Sequence, residues 1–302
     1  MKRKDSATKN QKYLAIFLAA TMLLSIFVVL IQGSTNNSND DVPTPEVGND
    51  SLIFFSQVPG KQVNHQFNSI ADGLKMSPEG PISALYVDMQ KTAGTPLETA
   101  LGTQEMMTSF YGVEVTKRYS TIYADGNGFE LHQIPEQKMI IPMDSLVSPY
   151  KGYQFLDRTN GTYDIWNVVG SPAVLGSHKN VELVIDVLEG NATATTEFDQ
   201  LLSQADPEGN VYQEVAKRTN NSIDMSAEQY YRDLKKLDDG SYMQTSIYLN
   251  PKPEVNEKIT AFQANSSERG VTYNVTTLDN ITKLVISSDF ESLYNESALL
   301  SI

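Results

Sequence analysis

Three histidines, His65, His132 and His178, are the only imidazoles in this 302-residue chain, and there is no cysteine. None of the histidines stands at His-x-x-x-His or His-Glu-x-x-His spacing, so neither a transition-metal site nor a cofactor is expected. Gly170-Ser171-Pro172 and Gly176-Ser177-His178 place serine after glycine without the Gly-x-Ser-x-Gly elbow that presents a nucleophile. Ser6-Ala7-Thr8-Lys9 fits Ser-x-x-Lys but falls in a basic N-terminal stub. In DGNGFE, residues 125–130, Asp125 and Glu130 have oxygens for calcium, but the spacing of a 12-residue calcium loop is missing and a hairpin turn is the expectation. No phosphate-binding loop or dinucleotide fingerprint is present. What remains is carboxylate chemistry, with 37 Asp plus Glu against 23 Lys plus Arg. Paired carboxylates would serve a cell-envelope hydrolase, yet no spacing singles out a pair, so no catalytic residue is assigned.

The elements that would position any such chemistry begin with an anchor. MKRKDSATKNQK carries five basic residues against Asp5, and Tyr13 to Ile31 follow without a charge. Nineteen helical residues span about 28 Å, close to the hydrocarbon thickness of a bilayer. A cleaved signal peptide is the rival, but its apolar stretch is shorter and ends in a small-x-small site, whereas this one ends in Ile31-Gln32-Gly33-Ser34. The expectation is a single-pass signal anchor with the N-terminus cytoplasmic and everything after it extracytoplasmic. Past residue 12 the counts become 18 basic (23 − 5) and 36 acidic (37 − 1), a surface that repels phosphate backbones and excludes nucleic acid as a partner.

Nine Asn-x-Ser/Thr sequons, at Asn36, Asn49, Asn160, Asn191, Asn220, Asn265, Asn274, Asn280 and Asn295, all lie beyond the apolar run, and none has proline in the middle. They are candidate glycan acceptors. Residues 160–302 hold seven of them, while residues 51–159 hold none. In VTYNVTTLD strand alternation puts Val271, Tyr273 and Val275 on one face and Asn274 on the other, toward solvent. A sequon-rich, acidic, cysteine-free exterior points to an archaeal cell surface, with a bacterial envelope as the alternative.

The organisation expected is a stub (1–12), a transmembrane helix (13–31), a flexible tether (32–50), an α+β unit (51–134), a linking segment with two helices (135–208) and a second α+β unit (209–302). Ser226-Ala227-Glu228-Gln229 reads as a capping box before Tyr230, Leu234 and Leu237, and Thr95-Pro96-Leu97-Glu98 as another. Ser177 precedes Val181, Val184, Ile185 and Leu188 at helical spacing, and Thr196 precedes Phe198, Leu201, Leu202 and Ala205. Strands are expected at ISALYVDMQ, RYSTIYAD, FELHQI, NVYQEV and SYMQTSIYLN. The order from 52 to 134 parallels that from 209 to 290, so the fold class expected is α+β, with two β-α-β-α-β-β-like units as an internal repeat.

Residues 171–215 run from a short strand through Gly176-Ser177 into a helix, then a second short helix and a strand. This segment resembles one found in membrane-anchored envelope proteins of unknown function, and the whole chain resembles uncharacterised surface proteins of methanogenic archaea. The resemblance implies location and architecture and carries over no catalytic residue. The function expected is a non-catalytic, membrane-tethered surface module. It would engage the membrane through Tyr13–Ile31 and an envelope protein or polymer through its folded part.

Overall fold

The computed structural model describes residues 51–95, 97–98, 104–142, 145–159, 161–219 and 225–300. The chain divides into two compact units, whose described parts run from 51 to 197 and from 198 to 300.

The N-terminal unit contains β1 (Ser51–Phe54), β2 (Val63–Asn64), β3 (Pro81–Asp88), β4 (Lys117–Tyr123), β5 (Gly128–Gln133), β6 (Lys138–Ile141), β7 (Val147–Tyr150), β8 (Tyr153–Asp157), β9 (Trp166–Val168), β10 (Gly170–Ser171) and β11 (Ala173–Gly176). Its helices are α1 (Ile70–Leu74), α2 (Met89–Thr92), α3 (Gln104–Tyr111) and α4 (His178–Leu188). Seven strands form an antiparallel run in the order β3-β4-β5-β11-β9-β8-β7, while β1 pairs with β6 and β10 with β2. Both faces of β5 are buried. Tyr111 and Met107 of α3 join Val115, Ile134, Met139, Leu156 and Ala173 in a core cluster, and α4 packs against β11, β9 and β5. A close approach joins α1 and β4, where a Cβ on Gly73 would stand 2.3 Å from the buried Tyr119 ring. At this position the contact, and not the backbone dihedral, demands glycine.

The C-terminal unit has the short helix α5 (Asp199–Leu202), then β12 (Asn210–Lys217), β13 (Ala227–Lys236), β14 (Tyr242–Pro251), α6 (Pro253–Ala264), β15 (Thr272–Leu278), β16 (Ile281–Ser288) and α7 (Phe290–Leu300). Its strands run antiparallel in the order β15-β16-β14-β13-β12. Proline at the first position of α6 and Ser177 ahead of α4, accepting a hydrogen bond from the Asn180 amide, are local start signals that the fold honours.

The expectation of two β-α-β-α-β-β units behind a transmembrane helix is overturned, because the described chain is dominated by antiparallel sheet with few helices. The expected helix from Ser226 is the ten-residue strand β13. Its odd-numbered residues from Ala227 to Asp233 are buried between β12 and β14, a period-2 pattern that outweighs the local capping signal. Around Thr95 the Leu97 amide donates to Thr95 Oγ1 and the Gly94 amide to Glu98 Oε2, and after residues 99–103, which lie outside the described residues, the described helix is Gln104–Tyr111. The repeat fails in topology as well. After the crossover from β3 the next strand, β4, pairs directly with it, whereas after the crossover from β14 the next strand, β15, lies at the edge and β16 takes the inner place. The residues of the expected transmembrane helix, 13–31, lie outside the described residues, and among the described residues no helix is long and apolar enough to cross a membrane.

Candidate functional site

Two side-chain constellations in the N-terminal unit hold groups able to move protons. The first is inside. On β5, Glu130 and His132 project to the same face, and the β4 residue directly opposite His132 is Arg118. Arg118 donates from Nε to Glu130 Oε2 at 3.1 Å and from Nη2 to Oε1 at 2.5 Å, a two-point clamp on the carboxylate. His132 Nε2 lies 2.8 Å from Glu130 Oε2, and His132 Nδ1 lies 2.7 Å from Tyr111 Oη.

A carboxylate only accepts, so His132 donates from Nε2 and receives the Tyr111 hydroxyl at Nδ1, which fixes a neutral imidazole. Desolvation pushes the His132 pKa down, in keeping with that state. Burial pushes the Glu130 carboxyl up, but the Arg118 charge, the His132 hydrogen bond and charge, and the Arg118 hydrogen bonds outweigh it and hold the group at about 2. Asn167 closes the chain, donating from Nδ2 to the Val174 carbonyl at 2.8 Å and more weakly to Tyr111 Oη at 3.4 Å. Asn167 Oδ1 has no hydrogen-bond partner among the described residues. With Glu130, His132, Tyr111 and Asn167 all fully buried, no substrate reaches this relay, and its role is to hold strands β4, β5 and β9 and helix α3 in register.

The second constellation is at the surface. His178, the first residue of α4, has Nε2 3.2 Å from Ser148 Oγ on β7 and Nδ1 3.4 Å from Glu182 Oε1 one turn along the helix. Its ring lies 5.1 Å from Phe155 and 4.9 Å edge-on from Trp166. Asp164 Oδ1 accepts from Trp166 Nε1 at 2.7 Å and from the His178 amide at 3.0 Å, tying the tryptophan to the start of the helix.

In the C-terminal unit the buried Asp233 accepts from Tyr231 Oη at 2.8 Å and from the Thr245 amide at 3.1 Å. Desolvation lifts its carboxyl to about 6 against those hydrogen bonds. Glu130 and Asp233 thus lie in separate units, each enclosed by its own donors. Among the described residues there is no group of three or more His, Cys, Asp or Glu placed to hold a metal ion.

The expected turn at DGNGFE forms between β4 and β5, where Asp125 accepts from the Asn127 amide, while Glu130 is committed to Arg118. Five sequon asparagines, Asn191, Asn265, Asn274, Asn280 and Asn295, are exposed. Asn36, Asn49, Asn160 and Asn220 lie outside the described residues. Sequence reasoning singled out His178 only as an isolated histidine. Its i, i+4 spacing to Glu182 was legible, but nothing in the order of residues placed Ser148, thirty positions earlier, beside it.

The fold and these sites define an antiparallel-sheet protein whose N-terminal unit holds both histidine constellations. Residues 66–189, which span that unit from just before α1 to the end of α4, match the family model AF_2048_N, described as a family N-terminal domain. Among curated proteins none matches. Of solved structures, the chain is similar to crystal form III of TP0453 at 10% identity, covering 80% of this chain and 99% of that one with a TM-score of 0.43. Crystal form I of TP0453 aligns at 9% identity over 75% and 96%, with a TM-score of 0.43.

Proposed function

We propose that the chain is a membrane-tethered, extracytoplasmic interaction module, anchored through Tyr13–Ile31 and glycosylated over its C-terminal portion. The observation that carries this reading is the division of the sequence into a basic stub, an uncharged 19-residue apolar run and a long acidic remainder bearing every sequon. The exposure of all five described sequon asparagines is compatible with it, since a glycan needs a solvated acceptor.

Within the module the partner surface is placed on β1, where Leu52 and Phe54 are 46% and 53% exposed. Large apolar groups left in water favour a covering partner. The other exposed apolar side chains of this unit include Leu146 and Val147. The partner chemistry that fits is an envelope protein with an apolar contact of its own.

Protease treatment of intact cells tests the location. Loss of the chain beyond about residue 34 with survival of the N-terminal stub supports it, and full protection of the large portion refutes it. Cross-linking from a photoreactive group at Phe54 tests the surface, and an adduct pattern unchanged by Leu52→Asp would remove β1 from consideration.

A further inference from the structure

The cluster at the start of α4 holds an arrangement that a purely binding role leaves unused. His178 stands between Ser148 and Glu182 in contact, its Nε2 3.2 Å from Ser148 Oγ and its Nδ1 3.4 Å from Glu182 Oε1. Since the carboxylate only accepts, the imidazole proton belongs on Nδ1, and Nε2 is left to accept from the serine hydroxyl. Contacts of this kind are commonly long in a free site and tighten when substrate arrives. The ring packs beside Phe155 and Trp166, and Trp166 in turn is fixed by Asp164. Unlike the sealed His132, the His178 and Glu182 side chains keep 30% and 35% of their surface, and Ser148 is half-buried. The site is therefore both ordered and reachable.

We propose that Ser148, His178 and Glu182 act as nucleophile, general base and orienting carboxylate in acyl transfer from an ester. The proposal goes beyond the interaction reading and does not rest on it. Ser148 Oγ attacks the ester carbonyl carbon while His178 Nε2 takes the hydroxyl proton, and the carbonyl π pair moves onto oxygen. Collapse of that intermediate expels the alcohol oxygen, which takes the proton back from Nε2, leaving an acyl-serine and a free alcohol. Water then adds in the same way, its proton passing to Nε2 and on to Ser148 Oγ as the acyl–oxygen bond breaks, so a carboxylic acid leaves and the serine is restored. No oxidant or cofactor enters the balance.

Glu182 stabilises the imidazolium formed at each stage. Val147, which precedes the nucleophile, and Tyr163, which precedes Asp164, are 55% and 36% exposed. With an acidic chain around it, the site suits an uncharged ester with an apolar acyl group.

The test is labelling of the full chain with a fluorophosphonate probe, with hydrolysis of p-nitrophenyl butyrate as the second readout. The adduct is expected on Ser148, absent in Ser148→Ala and unaffected by Ser203→Ala, a change at the exposed end of α5. His178→Ala should slow labelling by about 10²- to 10⁴-fold. Absence of an adduct on Ser148, or labelling that persists in Ser148→Ala, overturns the proposal. A third measurement guards against loss of folding in that variant: iodoacetamide alkylation of the S148C thiol against pH. Its midpoint should fall below the usual value of about 8.5 and return to it when His178→Ala is added. A midpoint at the ordinary value in S148C would likewise overturn the assignment.

Discussion

Breaking the clamp between Arg118 and Glu130 is the sharpest available test of how the N-terminal unit is held together. Both side chains are sealed from solvent, at 3% and 0% exposure, so removing either partner leaves the other as an uncompensated buried charge. Arg118→Met and Glu130→Gln are each expected to cost about 3 to 5 kcal/mol in unfolding free energy. The double variant should cost much less than the sum, because the second change removes the charge that the first one stranded.

The same pair sets a pH dependence. Glu130 sits at about 2 when folded against an ordinary 4.5, a gap equivalent to about 3 kcal/mol. Because the folded value is the lower one, this stability is complete above about pH 4.5 and is lost as pH falls toward 2. His132, also depressed when folded, adds an earlier loss that starts as pH drops through its ordinary value of 6.5, where the unfolded chain takes up the proton first. Urea denaturation of the full chain between pH 7 and pH 2 reads both windows. Glu130→Gln should flatten the lower one and leave Arg118→Met without further loss in that range. Additive costs for the two single changes, or an unchanged acid slope in Glu130→Gln, would falsify the clamp as described.

Three further outcomes are expected. Asp233, lifted from 3.8 to about 6 when folded, contributes stability below about pH 3.8 that disappears as pH rises through 6, so Asp233→Asn should stabilise the chain at pH 7 and flatten that slope in urea titrations. Gly73→Ala drives a methyl into the Tyr119 ring and should cost about 1 to 3 kcal/mol by denaturation, and less when it is added to Tyr119→Leu than when it is made alone. In native material, mass spectrometry should find Asn274 modified more fully than Asn280, because Asn274 stands on the exposed face of β15 while Asn280 Nδ2 already donates to Asn250 Oδ1. Unmodified asparagine at Asn265, Asn274 and Asn280 together would remove the glycan reading of this portion.

What the sequence determined by itself is whatever a few neighbouring residues decide. Helix α4 was legible because Ser177 satisfies the first amides and Val181, Val184 and Ile185 share one helical face, and α6 because Pro253 has no amide to lose at its first turn. The β4–β5 hairpin was legible in Asp125-Gly126-Asn127-Gly128, and the outward face of Asn274 in simple alternation. The basic stub and apolar run are equally local signals, and both lie outside the described residues.

Strand β13 was not legible, since Ser226-Ala227-Glu228-Gln229 satisfies a helix-start pattern as well as any in the chain. Only the ladders of β12 and β14 on either side made the extended form the one that buries Tyr231 and Asp233. The same holds for the chemistry. Tyr111, Arg118, Glu130, His132 and Asn167 meet through strand register and helix placement, and Ser148 reaches His178 because β7 and α4 come together across thirty residues. Such proximity is a property of pairing between distant segments, which no local spacing encodes, so tertiary structure alone decided which polar groups became partners.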